Sequence, residues 1–130
     1  MKILQPAGWP RPKGYANGIS ASGRMIFTAG IIGCNEQEIV TSHRFEDQFG
    51  MALQNILTIL AEDGAGPEHI VRMTIYVTDR VDYIARRDDL APVWKSLMGS
   101  HYPAIALVEV KGLVNSAAMV EIEATAVVEE

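Results

Sequence analysis

The chain has 130 residues, 48% of them hydrophobic and 21% charged, with a formal net charge of −5 at pH 7. That apolar share suits one folded core, so a single domain over residues 1–130 is expected. The 11 basic residues are scattered along the chain, which argues against a phosphate-tracking surface for nucleic acid, and no apolar run approaches the ~20 residues of a membrane span.

At the start, Met1-Lys2-Ile3-Leu4-Gln5-Pro6 lacks the apolar core of a signal peptide, which points to the cytoplasm and away from membranes. Gly8 to Gly14, carrying Pro10 and Pro12, reads as an extended arm. Tyr15–Ala21 and Met25–Ala29 flank Ser22-Gly23-Arg24, a short turn with glycine where positive φ is cheap, and predict a hairpin. A loop from Gly30 to Ser42 holds Cys34, the only cysteine. One cysteine excludes an intramolecular disulfide, and with no His or Lys beside it to lower its pKa it reads as an inert thiol before a nucleophile.

Phe45, Phe49, Leu53, Ile56, Leu57 and Leu60 recur at helical spacing, with Glu46, Asp47, Gln48 and Glu62 opposite. They predict an amphipathic helix from His43 or Arg44 to Glu62, ended by Gly64. Val71–Val77 alternates as a strand, and Thr78-Asp79 turns it out. A second helix is expected from Asp88 or Asp89 to Met98, with Pro92 in its first turn and the aspartates at its positive end. His101 to Val128 then reads as two strands in which Val108, Val110, Val120 and Ile122 alternate with Glu109, Glu121 and Glu123. Glu121 and Glu123 therefore share one face, either solvated or part of a site. The order β-β-α-β-α-β-β, with both helices on one sheet face, gives an α+β fold class and leaves the other face in need of a partner.

Pro103-Ala104 followed by Val108-Glu109-Val110, and then Val120-Glu121-Ile122-Glu123-Ala124, resemble the C-terminal signature of the Rid (YjgF-type) family of reactive-intermediate deaminases. The resemblance runs almost end to end. It includes Gly14-Tyr15-Ala16-Asn17-Gly18, the run Met25 to Gly33, Gln54-Asn55-Ile56 with Leu60-Ala61 and Gly64-Ala65, and Ile70 to Asp79. It implies the chorismate-mutase-like YjgF fold, assembled as a homotrimer with a central β-barrel and three clefts between subunits. A closed threefold interface is heterologous, so each cleft would combine surfaces of two chains.

The resemblance also implies site residues. Glu121 matches the glutamate that positions a hydrolytic water, against a plainer reading as a solvated or ion-paired strand residue. Tyr15 matches a tyrosine lining the cleft, Gly30 and Ile31 a strand end whose backbone meets the ligand, and Asp88 a polar position near the cleft, an N-cap role being equally open. Imine-hydrolysing members carry an arginine two residues after the motif proline, where this chain has Ile105, and often a cysteine where it has Leu107. An isoleucine cannot grip a carboxylate with a two-pronged fork. Ile105 and Leu107 are either core residues or the lining of a more apolar pocket, and Arg86 and Arg87 either reach a cleft mouth or are solvated.

The implied function is addition of water to an enamine or imine with release of ammonia, Glu121 and Tyr15 being catalytic and Gly30, Ile31, Asp88, Ile105 and Leu107 binding a substrate unlike the usual imino acids. The alternative is a non-catalytic small-metabolite-binding protein on the same scaffold. Some family members have been described as ribonucleases or translation inhibitors, and nothing in this sequence argues for that role. His43, His69 and His101 lack ligand spacing, so no metal is expected; no nucleotide fingerprint or nucleophile elbow is present, so no cofactor is expected either. The expected partners are a small-molecule ligand and further copies of the chain.

Overall fold

The computed structural model describes all residues from Met1 to Glu130. Its sheet is built around the longest apolar-alternating run, β7 (Val120–Val128), which lies between β3 (Arg24–Phe27) and β5 (Ile70–Val77), with β6 (Ala104–Glu109) at the far edge and β4 (Ile31–Ile32) continuing the β3 side. β3, β4 and β5 run antiparallel to β7, whereas β6 is parallel to β5. A parallel pair needs a crossover, and α2 (Arg80–Ala85) and α3 (Arg87–Met98) supply it. Together with α1 (Phe45–Ala61) they cover one face, which makes the fold α+β.

Period-2 alternation decides what each strand buries. Val120, Ile122, Ala124 and Ala126 of β7 and Met73, Ile75 and Val77 of β5 are buried under the helices. On α1, Phe45, Phe49, Leu53, Ile56 and Leu60 form the facing stripe, and the helix gives way to Gly64 at φ +72°, a conformation that favours glycine. Truncating a fully buried side chain such as Leu53 would cost ~2–5 kcal/mol.

The opposite face carries Glu121, Glu123 and Tyr76, all half-buried. Beside them Met25, Phe27 and Val108 are 58%, 66% and 44% exposed. No helix of the chain is long and apolar enough to cross a membrane.

Several sequence expectations are corrected. The predicted hairpin does not form: β2 (Gly18–Ser20) pairs with β1 (Lys2–Leu4), a strand the sequence reading missed, and β3 pairs with β7. Gly23 decides this. It sits at φ +146°, where an added Cβ would lie 2.8 Å from the Val128 carbonyl carbon, so the chain passes hard against the end of β7 and delivers β3 to that longer edge.

The predicted loop from Gly30 contains β4; the helix expected from Asp88 or Asp89 to Met98 forms as α3, starting at Arg87, and is preceded by α2, a short helix the sequence reading did not foresee. Pro92 lies inside α3 rather than in its first turn, leaving the carbonyl four residues back without its helical donor. Asp88 and Asp89 occupy the first turn but do not cap it. The capping aspartate of this region is Asp79, which accepts from the Asp82 amide at 3.0 Å to start α2.

Val108 is not an inward residue: it pairs with Tyr76 on the open face, while Ile105 and Leu107 align with Met73 and Ile75 on the helix side. Glu46 and Gln48, expected on the solvent side of α1, are both buried. Gln48 Nε2 donates to the carbonyls of Ser42 (2.9 Å) and Ala117 (3.0 Å), and its Oε1 accepts from the Met119 amide at 2.7 Å.

Candidate functional site

At the β6 edge the chain from the proline-containing arm comes alongside the sheet. The Ala16 amide donates to the Pro103 carbonyl at 2.9 Å, and Ala16 pairs with Ala104 in a parallel bridge. That contact sets Tyr15 beside Ile105. Between this edge and α3 lies a cavity of about 510 Å³ in which ten of thirteen lining residues are hydrophobic, a size and character usual for small-molecule sites. Ile75, Ile105 and Leu107 form the sheet side, Leu90 and Trp94 the helix side, and Tyr15 and Tyr102 stand at the arm. Ile105 and Leu107 thus line a pocket and also pack against the core.

Glu121 lies elsewhere. Register pairs it with Tyr76 and pairs Ile75 with both Ile122 and Leu107. Since successive strand residues point to opposite faces, Glu121 and the cavity are on opposite sides of the sheet.

Around Glu121, the Thr28 hydroxyl accepts from the Ala124 amide at 3.0 Å and the Thr28 amide donates to the Ala124 carbonyl at 2.9 Å, after which the chain swings out through Ala29 and Gly30 into β4. Asn55 Nδ2, on α1, ties that segment down through the carbonyls of Ile32 (3.2 Å) and Cys34 (2.9 Å). The Glu121 carboxylate packs directly over Gly30. Ile31 pairs with Ile122, on the helix side of β7. One chain therefore holds these residues in two separate groups: Tyr15, Ile105 and Leu107 at the cavity, and Gly30, Ile31 and Glu121 where β4 meets β7. Asp88 belongs to neither wall; it is exposed on α3, next to Arg87.

A family model described as endoribonuclease L-PSP matches residues 10–128. The chain belongs to this family, the Rid (YjgF) proteins. Among Rid relatives it is 30% identical over 130 residues to TdcF of Escherichia coli K12, provisionally named a reactive intermediate deaminase, covering 97% of this chain and 96% of that one. A RutC family protein of Aquifex aeolicus is 34% identical over 128 residues, covering 98% and 99%. Of solved Rid folds, one from Yersinia pestis superposes with a TM-score of 0.85 at 24% identity over 98% of both chains. Escherichia coli TdcF with bound serine gives 0.72 at 27% identity, over 99% of this chain and all of that one.

Set on this Rid fold, several neighbours of the site were invisible or ambiguous in sequence. Arg87 lines the cavity mouth, whereas Arg86 is committed elsewhere: its Nη1 lies 3.1 Å from Glu46 and its Nε 2.9 Å from Asp82. Burial works to raise the Glu46 pKa, but hydrogen bonds from Arg44 and Arg86 outweigh it and hold the carboxyl below its ordinary range. Trp94 and Tyr102 stack with centroids 5.7 Å apart and an interplanar angle of 6°, and Trp94 Nε1 donates to the His101 carbonyl at 3.2 Å. His101 stays out of the cavity, its Nε2 2.7 Å from the Ile70 carbonyl oxygen. On the open face Tyr76 donates to Glu123, and this hydrogen bond, with desolvation and the charges of Glu123 and Glu121, raises the Tyr76 phenol pKa.

Proposed function

We propose that this protein adds water to an enamine or imine and releases ammonia, in a cleft completed by a second copy of the chain. The observation that carries the reading is Glu121. The family motif Val120-Glu121-Ile122-Glu123-Ala124 keeps its glutamate half-buried over Gly30, where it accepts no hydrogen bond from its own chain and is free to handle water. The second copy is called for because one chain holds the cavity and Glu121 on opposite faces of its sheet. The exposed apolar residues Met25, Phe27 and Val108 supply a surface for that contact, and a closed homotrimer with a central barrel uses it without leaving an edge free.

The chemistry then follows in balanced steps. An enamine first takes a proton on carbon to become the iminium. A water loses a proton to the Glu121 carboxylate as its oxygen bonds to the iminium carbon, giving a carbinolamine. Glu121 passes that proton on to nitrogen, the C–N bond breaks with its electrons leaving on ammonia, and the carbonyl forms as the hydroxyl gives its proton to the Glu121 carboxylate, which releases it to solvent in place of the one the enamine took up. Tyr15, half exposed at the cavity arm, donates its phenol hydrogen to the substrate and orients it. TdcF with bound serine supports an amino-acid-like ligand on this fold. With Ile105 in the cavity wall, the body of the ligand meets an apolar surface instead of a guanidinium.

The test is ammonia release from freshly generated 2-iminopropionate, 2-iminobutyrate and bulkier imino acids, against Glu121→Gln and a protein-free blank. Turnover by the wild type and its loss by ~10²-fold or more in Glu121→Gln are expected. Equal rates in the two proteins would remove Glu121 from the reaction. Silence on every imine, with binding retained, would favour the non-catalytic metabolite-binding protein.

A further inference from the structure

We infer that the cavity takes a carboxylate with a bulky apolar or aromatic body, the body lying against Trp94, Tyr102, Ile105 and Leu107 and the carboxylate held at the mouth by Arg87 and Lys13. This deepens the function proposed above and rests on it for the reaction, though not for binding. Three observations carry it.

The first is size and character. About 510 Å³ of mostly apolar space would be left largely unfilled by a short imino acid, and unfilled apolar surface forgoes the burial that drives binding. The second is shape. The Trp94–Tyr102 stack at 6° is a flat wall held in place: Trp94 is 8% exposed and anchored through its Nε1, so a planar or branched group meets a preformed surface.

The third is charge. Lys13 and Arg87 are the only charged residues lining the cavity. Arg86, one position earlier, is occupied by Glu46 and Asp82, but neither Lys13 nor Arg87 is ion-paired within the chain, and both are exposed. A carboxylate buried against Ile105 would have no partner and is costly there. At the mouth it meets two cations, one of them an arginine able to bind it through two parallel N–H groups. The cationic grip thus moves from the wall to the rim, which leaves the wall for the ligand's body and sets a minimum length: the ligand must span from rim to stack.

The probes are 3-phenylpropionate, propionate and 3-phenylpropanamide, titrated calorimetrically into the full-length protein as purified. The aromatic acid should bind at least about tenfold more tightly than propionate and about fivefold more tightly than the amide. The double variant K13Q/R87Q, whose residues are exposed and outside the core, should bring the acid down to the affinity of the amide and leave the amide unchanged. Equal binding of 3-phenylpropionate and propionate would overturn the inference, and so would acid-over-amide preference that survives in the double variant. Selective binding without ammonia from any imine sinks the hydrolase and spares the inference; turnover of 2-iminobutyrate by a protein indifferent to the probes does the reverse.

Discussion

The Glu121 carboxylate occupies the space where a side chain on Gly30 would begin: an added Cβ would lie 2.8 Å from Glu121 Cδ and 3.2 Å from Cγ. Contacts this short cannot persist, and the movable partner is the end of a flexible side chain rather than backbone. Gly30→Ala should therefore push the carboxylate aside without disturbing the fold. Turnover should fall roughly 10- to 100-fold, since an ångström of misplacement has effects of that order, while the thermal midpoint moves little. Gly30 is a positioning residue if kcat drops and probe binding does not; an equal loss of stability and activity would make it merely structural.

Ile105→Arg would put a guanidinium into the cavity wall, in register with Met73. The variant should gain at least about tenfold in ammonia release from 2-iminobutyrate or 2-aminoacrylate, because a bidentate partner for a short carboxylate is then present. It should also lose affinity for 3-phenylpropionate, whose body the longer side chain displaces. No gain on short imines would mean that the pocket differs from other Rid proteins by more than this residue.

Glu46 ties α1 to the junction of α2 and α3 through Arg86 at 3.1 Å, with Arg44 at 2.9 Å on its other oxygen. Its pKa is held below the ordinary value of 4.5. A depressed folded-state pKa means that the stabilisation is fully present above that value and is lost as pH falls through the lower, folded one. Glu46→Gln should cost about 1–2 kcal/mol at pH 7, and the gap between variant and wild type should close on acidification below pH 4.5. Urea unfolding at a series of pH values measures it; a gap that does not narrow would show that the carboxylate charge is not what stabilises.

Gln48 joins three backbone groups from two separate loops. Gln48→Leu keeps the bulk and leaves the Ser42 and Ala117 carbonyls and the Met119 amide without their partner. The expected loss is about 2–4 kcal/mol, or roughly 10 °C in Tm. Hydrogen exchange should speed up at Met119.

Phe27 and Met25 stand 66% and 58% exposed on the open sheet face. Light scattering of the wild type should give the mass of a trimer, and Phe27→Glu should give a monomer, because an unpaired carboxylate in that contact is costly. Ammonia release should disappear with it, Glu121 and the cavity then lying on surfaces that no longer meet. A monomeric wild type with full turnover would remove the second copy from the site.

Much of this protein was legible in one dimension. The stripe from Phe45 to Leu60 and the alternation from Val120 to Val128 name their own elements, because 3.6-residue and two-residue periods are properties of the local backbone. The motif around Glu121 likewise carries its family without any coordinates. What the sequence could not decide is which strand meets which edge and which polar residue finds a partner inside. The hairpin expected around Gly23 gives way to pairing with β7, since a longer edge offers more hydrogen bonds than a local turn. Glu46 and Gln48 look like a solvent face until loops from residues 42 and 117 and the guanidinium of Arg86 arrive to satisfy them. Arg86 and Arg87 are adjacent and chemically identical, yet one closes an ion-pair network and the other stands at a cavity mouth, because Arg86 sits in the non-helical junction between α2 and α3 whereas Arg87 opens α3, and only the packed chain fixes what each side chain meets.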